Sequence, residues 1–368
     1  MTDLIIKGGT VIDGTGNTRY QADVSITNGV IENVGEIEST GSQTIDASGL
    51  VVAPGFFDFH SHSDFTIPEY PSAINSISQG VTTEVTGNCG WTPAPVPVDP
   101  DHADAFRASN EGLGPNLDWR WSSFGSFLRV LDEVAPSVNV APLIGHNAVR
   151  SSVMGYENRS STTDELKKMK SLVENAMEAG AWGMSSGLVY PPSGFSDIEE
   201  LSELAASAAK FGGLYSSHIR NEGSGLLEAV SEAVEVGKRS GATIQVSHLK
   251  ATGSNNYGLV NGAFDLLHRA RTEGINVHCD VYPYTAGSTF LAMVTPPWSH
   301  EGGFDELARR LGAREKRDRI RYEMLNDSVE WNGLFRAAGS WDRILISSVV
   351  APELTKYEGS SIAAIAAA

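Results

Sequence analysis

The chain has 368 residues, of which 41% are hydrophobic and 20% charged, so it can form a large folded core. Its formal net charge of −18 argues against a basic surface for nucleic acid or anionic lipid. The two cysteines are too few for a disulfide framework. No apolar run is long enough to span a membrane, and the first residues lack a signal-peptide pattern. We therefore expect a soluble, acidic, cytoplasmic protein that has neither nucleic acid nor a membrane as partner.

The first part of the chain, residues 1–52, has short apolar runs separated by turn residues. Val24 and Ile26 alternate with polar neighbours, and Val30-Ile31 follows directly after Asn28-Gly29. An Asn-Gly pair between apolar residues is typical of a tight hairpin. We predict a small β module over residues 1–52.

Helix and strand patterns alternate from about residue 160 onward. Thr162 and Glu165 have the spacing of a capping box, and the apolar period that follows stops at Gly180. A second helix is predicted to begin at Ser196, and two more follow. Strands are predicted after these helices and at three places upstream, over residues 51–60, 81–86, 138–145, 182–187, 214–218, 243–248 and 275–281.

This alternation predicts a parallel sheet with helical crossovers. Seven strands favour a (β/α)₈ TIM-like barrel with one strand still to be found. A doubly wound open sheet is the alternative, but the chain lacks the glycine-rich phosphate-binding fingerprint that would favour it.

Histidines and a cysteine occur where the predicted strands end. His60 and His62 are two residues apart on a predicted strand, so both should point to the same face, into the mouth of the barrel. Cys89 lies between glycines, which indicates a tight turn. His218 and His248 end successive strands, so they should lie side by side at the active-site end of the barrel. Nitrogen and sulfur ligands of this kind suit zinc better than magnesium or calcium.

Other polar residues near the predicted strand ends have weaker assignments. His146 ends the third strand and is a candidate for contacting substrate or supporting a ligand. Asp64 and Asp280 are candidates for orienting ligands or capping turns. Cys279 lies within a strand and is expected to be a buried thiol.

The motifs in combination resemble the amidohydrolase superfamily, and within it the N-acyl-D-amino-acid deacylase (D-aminoacylase) branch. The superfamily likeness rests on the N-terminal β segment and on Ala53-Pro54-Gly55-Phe56-Phe57-Asp58-Phe59-His60-Ser61-His62. The branch is indicated by five further stretches, Gly87-Asn88-Cys89-Gly90, Ser185-Ser186-Gly187-Leu188-Val189-Tyr190-Pro191-Pro192, Ser217-His218-Ile219-Arg220-Asn221-Glu222, Ser247-His248-Leu249-Lys250 and Asp280-Val281-Tyr282-Pro283-Tyr284. In this branch, a cysteine replaces the carboxylated lysine that bridges two metals in other amidohydrolases.

The resemblance implies a metal-dependent hydrolase barrel over residues 53–287. The β module would be half of a composite β-sandwich, and residues 288–368 an insertion after strand seven. Cys89, His218 and His248 would hold a tight zinc, with His60 and His62 at a weaker second site. Lys250, Tyr282 and Ser288 would bind the substrate carboxylate, and Tyr190 would face the substrate or the developing oxyanion. The reaction implied is hydrolysis of N-acyl-D-amino acids to a carboxylate and a free D-amino acid.

One residue of the family pattern is missing. The catalytic aspartate at the end of strand eight has no counterpart between residue 282 and Ala368, so we expect it beyond the chain end and the chain to be C-terminally truncated. Two alternatives stay open. One is a cyclic-amide hydrolase of the hydantoinase or dihydroorotase type, although residues 182–187 lack the lysine that such enzymes use. The other is a metal-binding fragment or pseudoenzyme without turnover.

Overall fold

The computed structural model describes residues 2–38, 41–114, 116–326, 331 and 333–368. The chain divides into two compact units, Met1–Phe57 with Gly80–Thr82 and Asp58–Gln79 with Thr83–Ala368. All the candidate site residues lie in the second unit.

The strands and helices follow one another along the chain as the alternating pattern predicts from residue 160 onward. The strands are β1 (Leu4–Val11), β2 (Tyr20–Thr27), β3 (Val30–Gly35), β4 (Gln43–Asp46), β5 (Val51–Val52), β6 (Phe56–Asp58), β7 (Val81–Thr86), β8 (Asn139–Pro142), β9 (Ile144–Gly145), β10 (Gly183–Gly187), β11 (Leu214–His218), β12 (Thr243–Val246) and β13 (Val277–Cys279). The helices are α1 (Ile74–Ile77), α2 (Pro100–Asn110), α3 (Phe124–Val134), α4 (His146–Met154), α5 (Thr163–Ala179), α6 (Ile198–Ala209), α7 (Leu226–Ser240), α8 (Leu259–Thr272), α9 (Phe304–Gly312), α10 (Arg314–Leu325), α11 (Leu334–Ala338) and α12 (Ile362–Ala367).

The first unit contains a five-stranded sheet. Strand β1 pairs antiparallel with β2 and parallel with β4 and β5, and β2 pairs antiparallel with β3. The predicted hairpin is confirmed, because Thr27 faces Val30 across the turn. Asn28 and Gly29 both have positive φ, at 52° and 75°, which is the conformation that favours Asn-Gly in such turns.

The second unit is built on parallel strands. Strands β9 to β13 pair in the order β13-β12-β11-β10-β9, and β7 pairs in parallel with β8. The predicted third strand is divided at Leu143. Its amide donates to the carbonyl of Thr86 on one side, whereas the next residue, Ile144, pairs with Met184 on the other. The third strand therefore joins the two groups of strands through a one-residue break.

Several strands are shorter than predicted, although their order and direction agree with the predicted α/β class, which is confirmed. The segment predicted as one strand over residues 51–60 is divided into β5 and β6. Both His60 and His248 follow a strand by two residues instead of ending it. Among the described residues, no strand follows β13, and residues 344–349 contribute only an isolated bridge between Leu345 and Ser361. The predicted domain boundaries stay predictions.

The helices cover the parallel strands with their apolar faces. The capping box of α5 is confirmed: the Thr162 side chain accepts from the amide of Glu165, whose carboxylate accepts from the amide of Thr162. Helix α6 begins later than predicted, because Asp197 caps it by accepting from the amide of Glu200. Met169 of α5 and Met184 of β10 are fully buried in one large apolar core.

The length and composition of the helices bear on whether the chain could cross a membrane. In the part of the chain that the structure describes, no helix combines the length and apolar composition needed to cross a bilayer.

Candidate metal centre

A strained turn after β7 presents Cys89. Three neighbouring residues have positive φ, at 74° for Gly87, 55° for Cys89 and 76° for Gly90. A Cβ on Gly87 would lie 2.1 Å from the carbonyl oxygen of Leu143, so only glycine fits there. The amide of Gly90 donates to the Ser185 hydroxyl at 2.9 Å. The left-handed backbone of Cys89, a non-glycine residue, is typical of functional sites, where surrounding structure offsets the strain.

His60 and His62 approach Cys89 from the segment after β6. Their prediction as neighbours on one strand is wrong, because the strand ends at Asp58, whose side chain accepts from the amide of His60 at 3.0 Å. The turn still brings the two rings together, with centroids 5.5 Å apart. His60 Nε2 lies 3.3 Å from Cys89 Sγ.

His218 and His248 approach Cys89 from the end of β11 and from the turn after β12. His218 is the last residue of β11, whereas His248 has a positive φ of 37° in the turn after β12. Their ring centroids are 4.3 Å apart, and His248 Nε2 lies 3.4 Å from Cys89 Sγ. The cysteine thus stands between two pairs of histidines that come from three different strand ends.

The geometry of these five side chains allows metal binding. They form two overlapping groups, His60–His62–Cys89 and Cys89–His218–His248, and within each group the ligand atoms lie within 4.8 Å of one another. Both ring nitrogens of His218 and Nδ1 of His62 are buried and have no hydrogen-bond partner among the described residues. Buried polar atoms normally have a hydrogen-bond partner. These nitrogens have none among the described residues, so they are available to bind a ligand. Nitrogen and thiolate donors match zinc.

The electrostatics of the group favour a thiolate. Burial opposes ionisation of Cys89, but the nearby His60 and His248 outweigh it and lower the pKa of the thiol well below its ordinary value. Burial likewise opposes protonation of the two rings, yet the Cys89 thiolate raises the pKa of His60 to about 10 and that of His248 to about 9. Metal binding at such a group displaces protons, because thiolate and neutral imidazole are the ligating forms.

Two carboxylates support the histidines. Glu222 Oε1 lies 3.1 Å from His248 Nδ1 and 3.6 Å from His218 Nε2. Asp280 Oδ2 lies 3.3 Å from His60 Nδ1 and accepts from the amide of His248 at 2.8 Å. The position of Asp280 near a predicted strand end makes it a candidate for orienting a ligand, whereas Glu222 has no predicted role. The only available signal was its spacing, four residues after His218.

Two of the residues expected to bind substrate, Lys250 and Tyr282, lie near His248. Lys250 is not free, because its ammonium group contacts the Glu222 carboxylate and the backbone oxygen of His248, the latter at 3.2 Å. It also lies 5.4 Å from the ring centroid of Tyr282. Tyr282 in turn lies 6.3 Å from the His248 ring, measured between centroids. Ser288 is exposed on the segment after β13.

Tyr190 is buried beside the histidines. Its ring centroid lies 5.0 Å from that of His218, and its hydroxyl forms a hydrogen bond of 3.0 Å with Thr289. Burial and the Cys89 charge raise the pKa of Tyr190, so the phenol stays protonated at neutral pH. Its proton is therefore available as a hydrogen-bond donor near the cluster.

Two buried carboxylates, those of Glu84 and Asp64, lie near His62. Glu84 accepts hydrogen bonds from the hydroxyls of Ser61 and Ser63, the residues on either side of His62. Asp64 is almost fully buried, and desolvation raises its pKa to about 7. Neither oxygen of Asp64 has a hydrogen-bond partner among the described residues.

His146 does not join the cluster. It is fully buried at the start of α4, with Nδ1 2.6 Å from the Ser193 hydroxyl and Nε2 2.9 Å from Glu200 Oε1. Arg150, also fully buried, forms an ion pair with the same Glu200 carboxylate. His146 therefore belongs to a buried network with Ser193, Glu200 and Arg150, outside the two groups that share Cys89.

Sequence comparison identifies relatives of known activity. The profile described as the amidohydrolase family matches residues 43–319. N-acyl-D-glutamate deacylase and D-aminoacylase of Alcaligenes xylosoxydans xylosoxydans are 38% and 36% identical to this chain, each over 290 residues and 78% of its length. The chain spans only 58% and 59% of the lengths of these two relatives.

Structural comparison gives the same relationship. The N-acyl-D-glutamate deacylase of Bordetella bronchiseptica, solved with zinc and a phosphonate inhibitor that mimics the tetrahedral intermediate, superposes with a TM-score of 0.81. The match has 32% sequence identity and covers all of this chain and 67% of the other. The arrangement of strands and helices is therefore that of a known metal-dependent hydrolase.

Proposed function

We propose that this chain, which belongs to the amidohydrolase family, is part of a zinc-dependent hydrolase that cleaves the amide bond of N-acyl-D-amino acids. The products are a carboxylate and a free D-amino acid. The observation that carries the proposal is the position of Cys89 between two histidine pairs, on a chain similar to D-amino-acid deacylases.

The ligand assignment follows from the two groups that share Cys89. Cys89, His218 and His248 would hold one zinc tightly, since they form the more deeply buried group. His60 and His62 would complete a weaker second site with the same thiolate. Bound zinc supplies a water whose pKa is lowered to about 7, so that hydroxide is present at neutral pH.

The protein side chains would bind and polarise the substrate. Tyr190 is a protonated donor beside His218 and would stabilise the developing oxyanion. Loss of one such donor typically costs about 3–4 kcal/mol of transition-state stabilisation. Lys250, with the ring centroid of Tyr282 at 5.4 Å from its ammonium group and with Ser288, would bind the α-carboxylate. Although Lys250 contacts Glu222, an ammonium group has three protons and can serve a second anion.

The general base is proposed to be an aspartate outside the 368 residues. We expect the protein of the whole reading frame to hydrolyse N-acetyl-D-amino acids, and the 368-residue chain to be slower by about 10²–10⁴-fold, the usual contribution of such a group. Chiral chromatography of the released amino acid measures both rates.

The same assay tests competing assignments. N-acetyl-L-amino acids and a hydantoin serve as control substrates, and β10 contains no lysine, which disfavours the hydantoin. Equal rates for the two chain lengths would mean that a residue within the 368, such as Asp64 or Asp280, serves as the base. Equal rates for D and L substrates would contradict the proposed specificity, and no turnover by the zinc-loaded whole protein would contradict the proposed activity.

Lys250→Ala in the whole protein should lower kcat/KM for N-acetyl-D-amino acids by about ten- to a hundredfold. The reason is that a hydrogen bond to a charged group contributes roughly 1.5–3 kcal/mol. For substrates whose carboxylate is converted to an amide, the loss should shrink, because the charge partner is gone. Lys210→Ala, at an exposed lysine paired with Glu174, is the control and should leave both rates unchanged. An equal loss on acid and amide substrates would mean that Lys250 does not bind the carboxylate.

A further inference from the structure

We propose that Glu222 is a positioning residue of the metal centre, which holds His248 so that its Nε2 faces Cys89. The inference rests on the metal site proposed above and adds a residue to it. The evidence is the contacts of the two ring nitrogens of His248. Nδ1 lies 3.1 Å from Glu222 Oε1, and Nε2, on the other side of the ring, lies 3.4 Å from Cys89 Sγ. When Nδ1 donates its proton to the carboxylate, the lone pair of Nε2 is left for a ligand.

The same contacts argue against the opposite tautomer. Lys250 Nζ lies 3.0 Å from His248 Nδ1, so the lysine is the rival donor at this nitrogen. If it donated there, Nδ1 would be an acceptor facing the carboxylate of Glu222, another acceptor, at 3.1 Å. Both donors can instead point at the shared oxygen of Glu222, and a bond to an ionised acceptor is the stronger one. The arrangement that satisfies all three groups has the proton on Nδ1.

Glu222 is itself held firmly. It is only 4% exposed, and its backbone oxygen accepts from the amide of Thr252 at 2.6 Å. This bond joins the loop after β11, which carries Glu222, to the loop after β12, which carries His248 and Lys250. A buried and fixed carboxylate orients its partner ring without a further loss of side-chain entropy.

Asp280 is the counterpart of Glu222 at the other histidine pair. Its Oδ2 faces His60 Nδ1 at 3.3 Å, while His60 Nε2 faces Cys89 Sγ at 3.3 Å. Each of the two overlapping groups thus has a separate carboxylate behind one histidine. Asp280 also bonds to the amide of His248, so its replacement would disturb both groups. Glu222 is therefore the cleaner residue to change.

Zinc affinity of the metal-free 368-residue chain tests the proposal by competition with a chromophoric chelator. Glu222→Gln should weaken the tightest zinc by about ten- to a hundredfold, the usual effect of removing a carboxylate behind a ligand histidine. Glu222→Asp keeps the charge but is shorter, so it should recover only part of the loss. The control is Glu232→Gln, because Glu232 pairs with Arg220 and contacts no histidine. Lys250→Met should retain wild-type affinity, since it leaves Glu222 and His248 together.

A second measurement reports the ring directly. Long-range ¹H–¹⁵N spectra of the histidines, recorded above about pH 9 so that the His248 ring is neutral, distinguish the two neutral tautomers, and we expect the Nδ1–H form for His248 in the wild type and in Lys250→Met. In Glu222→Gln this preference should be lost. Unchanged zinc affinity in Glu222→Gln would overturn the proposal, as would an equal loss in Lys250→Met. A wild type that binds no zinc would instead refute the proposed metal site. In that case the comparison of the His248 tautomer between the wild type and Glu222→Gln would still show whether Glu222 orients the ring.

Discussion

Replacing Cys89 with alanine should remove the tightly bound zinc from the purified protein. Both histidine groups share this thiolate, so a single substitution takes one ligand from each of them. Two histidines alone fall short of the three or four protein ligands found at stable zinc sites. Elemental analysis after dialysis should show about one zinc per wild-type chain and only a trace in the variant.

The second cysteine provides a matched control. Cys279 lies half-buried in β13 and belongs to neither histidine group. Cys279→Ala should therefore retain the zinc content of the wild type. Circular dichroism spectra and thermal unfolding of both variants separate loss of metal from loss of fold. Equal zinc in Cys89→Ala and the wild type would refute the ligand assignment.

Glu200→Gln should lower the free energy of unfolding by about 3–5 kcal/mol. Glu200, Arg150 and His146 are each at most 1% exposed, and the carboxylate is the charge partner of the arginine. The substitution leaves the guanidinium buried without a compensating charge, which is the costly way to break a buried ion pair. Denaturant unfolding monitored by fluorescence measures the change.

Glu203→Gln is the control for this effect, in the same helix. Glu203 is 42% exposed and pairs with Lys170 at the surface, where an ion pair contributes at most about 1 kcal/mol. A loss in Glu200→Gln no larger than that in Glu203→Gln would contradict the proposed importance of the buried pair.

The same carboxylate predicts a pH dependence of stability. Burial opposes its ionisation, but the hydrogen bond from His146 and the charge of Arg150 lower the pKa of Glu200 from 4.5 to about 2. Between these values the unfolded chain binds the proton and the folded chain does not, so stability falls as the pH drops from about 4.5 toward 2. The stability difference between wild type and Glu200→Gln should therefore narrow in that range. A constant difference would show that Glu200 titrates normally.

Local patterns in the sequence were enough to predict the order of the strands and helices and several of their local bonds. The capping box of Thr162 and Glu165 and the Asn28-Gly29 hairpin involve residues a few positions apart, whose bonds form within one element. The glycines around Cys89 indicated its turn, because only glycine tolerates that backbone at close approach. The histidines and the cysteine near the strand ends could be recognised as candidate metal ligands, because parallel strands bring their carboxyl ends to one side.

Exact strand ends depended on contacts with distant segments. His60 lies outside its strand because Asp58 ends it, and the third strand is divided at Leu143 because its two halves pair with different neighbours. A periodic pattern of apolar residues continues through such breaks, since burial does not distinguish a regular strand from an extended turn.

The sequence by itself determined the fold class, the family and the set of nitrogen and sulfur donors, because these depend on residue type and local spacing. Only the tertiary structure decided which charges meet: Glu222 with His248 and Lys250, Asp280 with His60, and Glu200 with Arg150 and His146. In every case the carboxylate and its partners come from different helices or from loops that follow different strands. A buried charge requires a partner, but the residue that supplies it is set by how the chain packs and not by position along it.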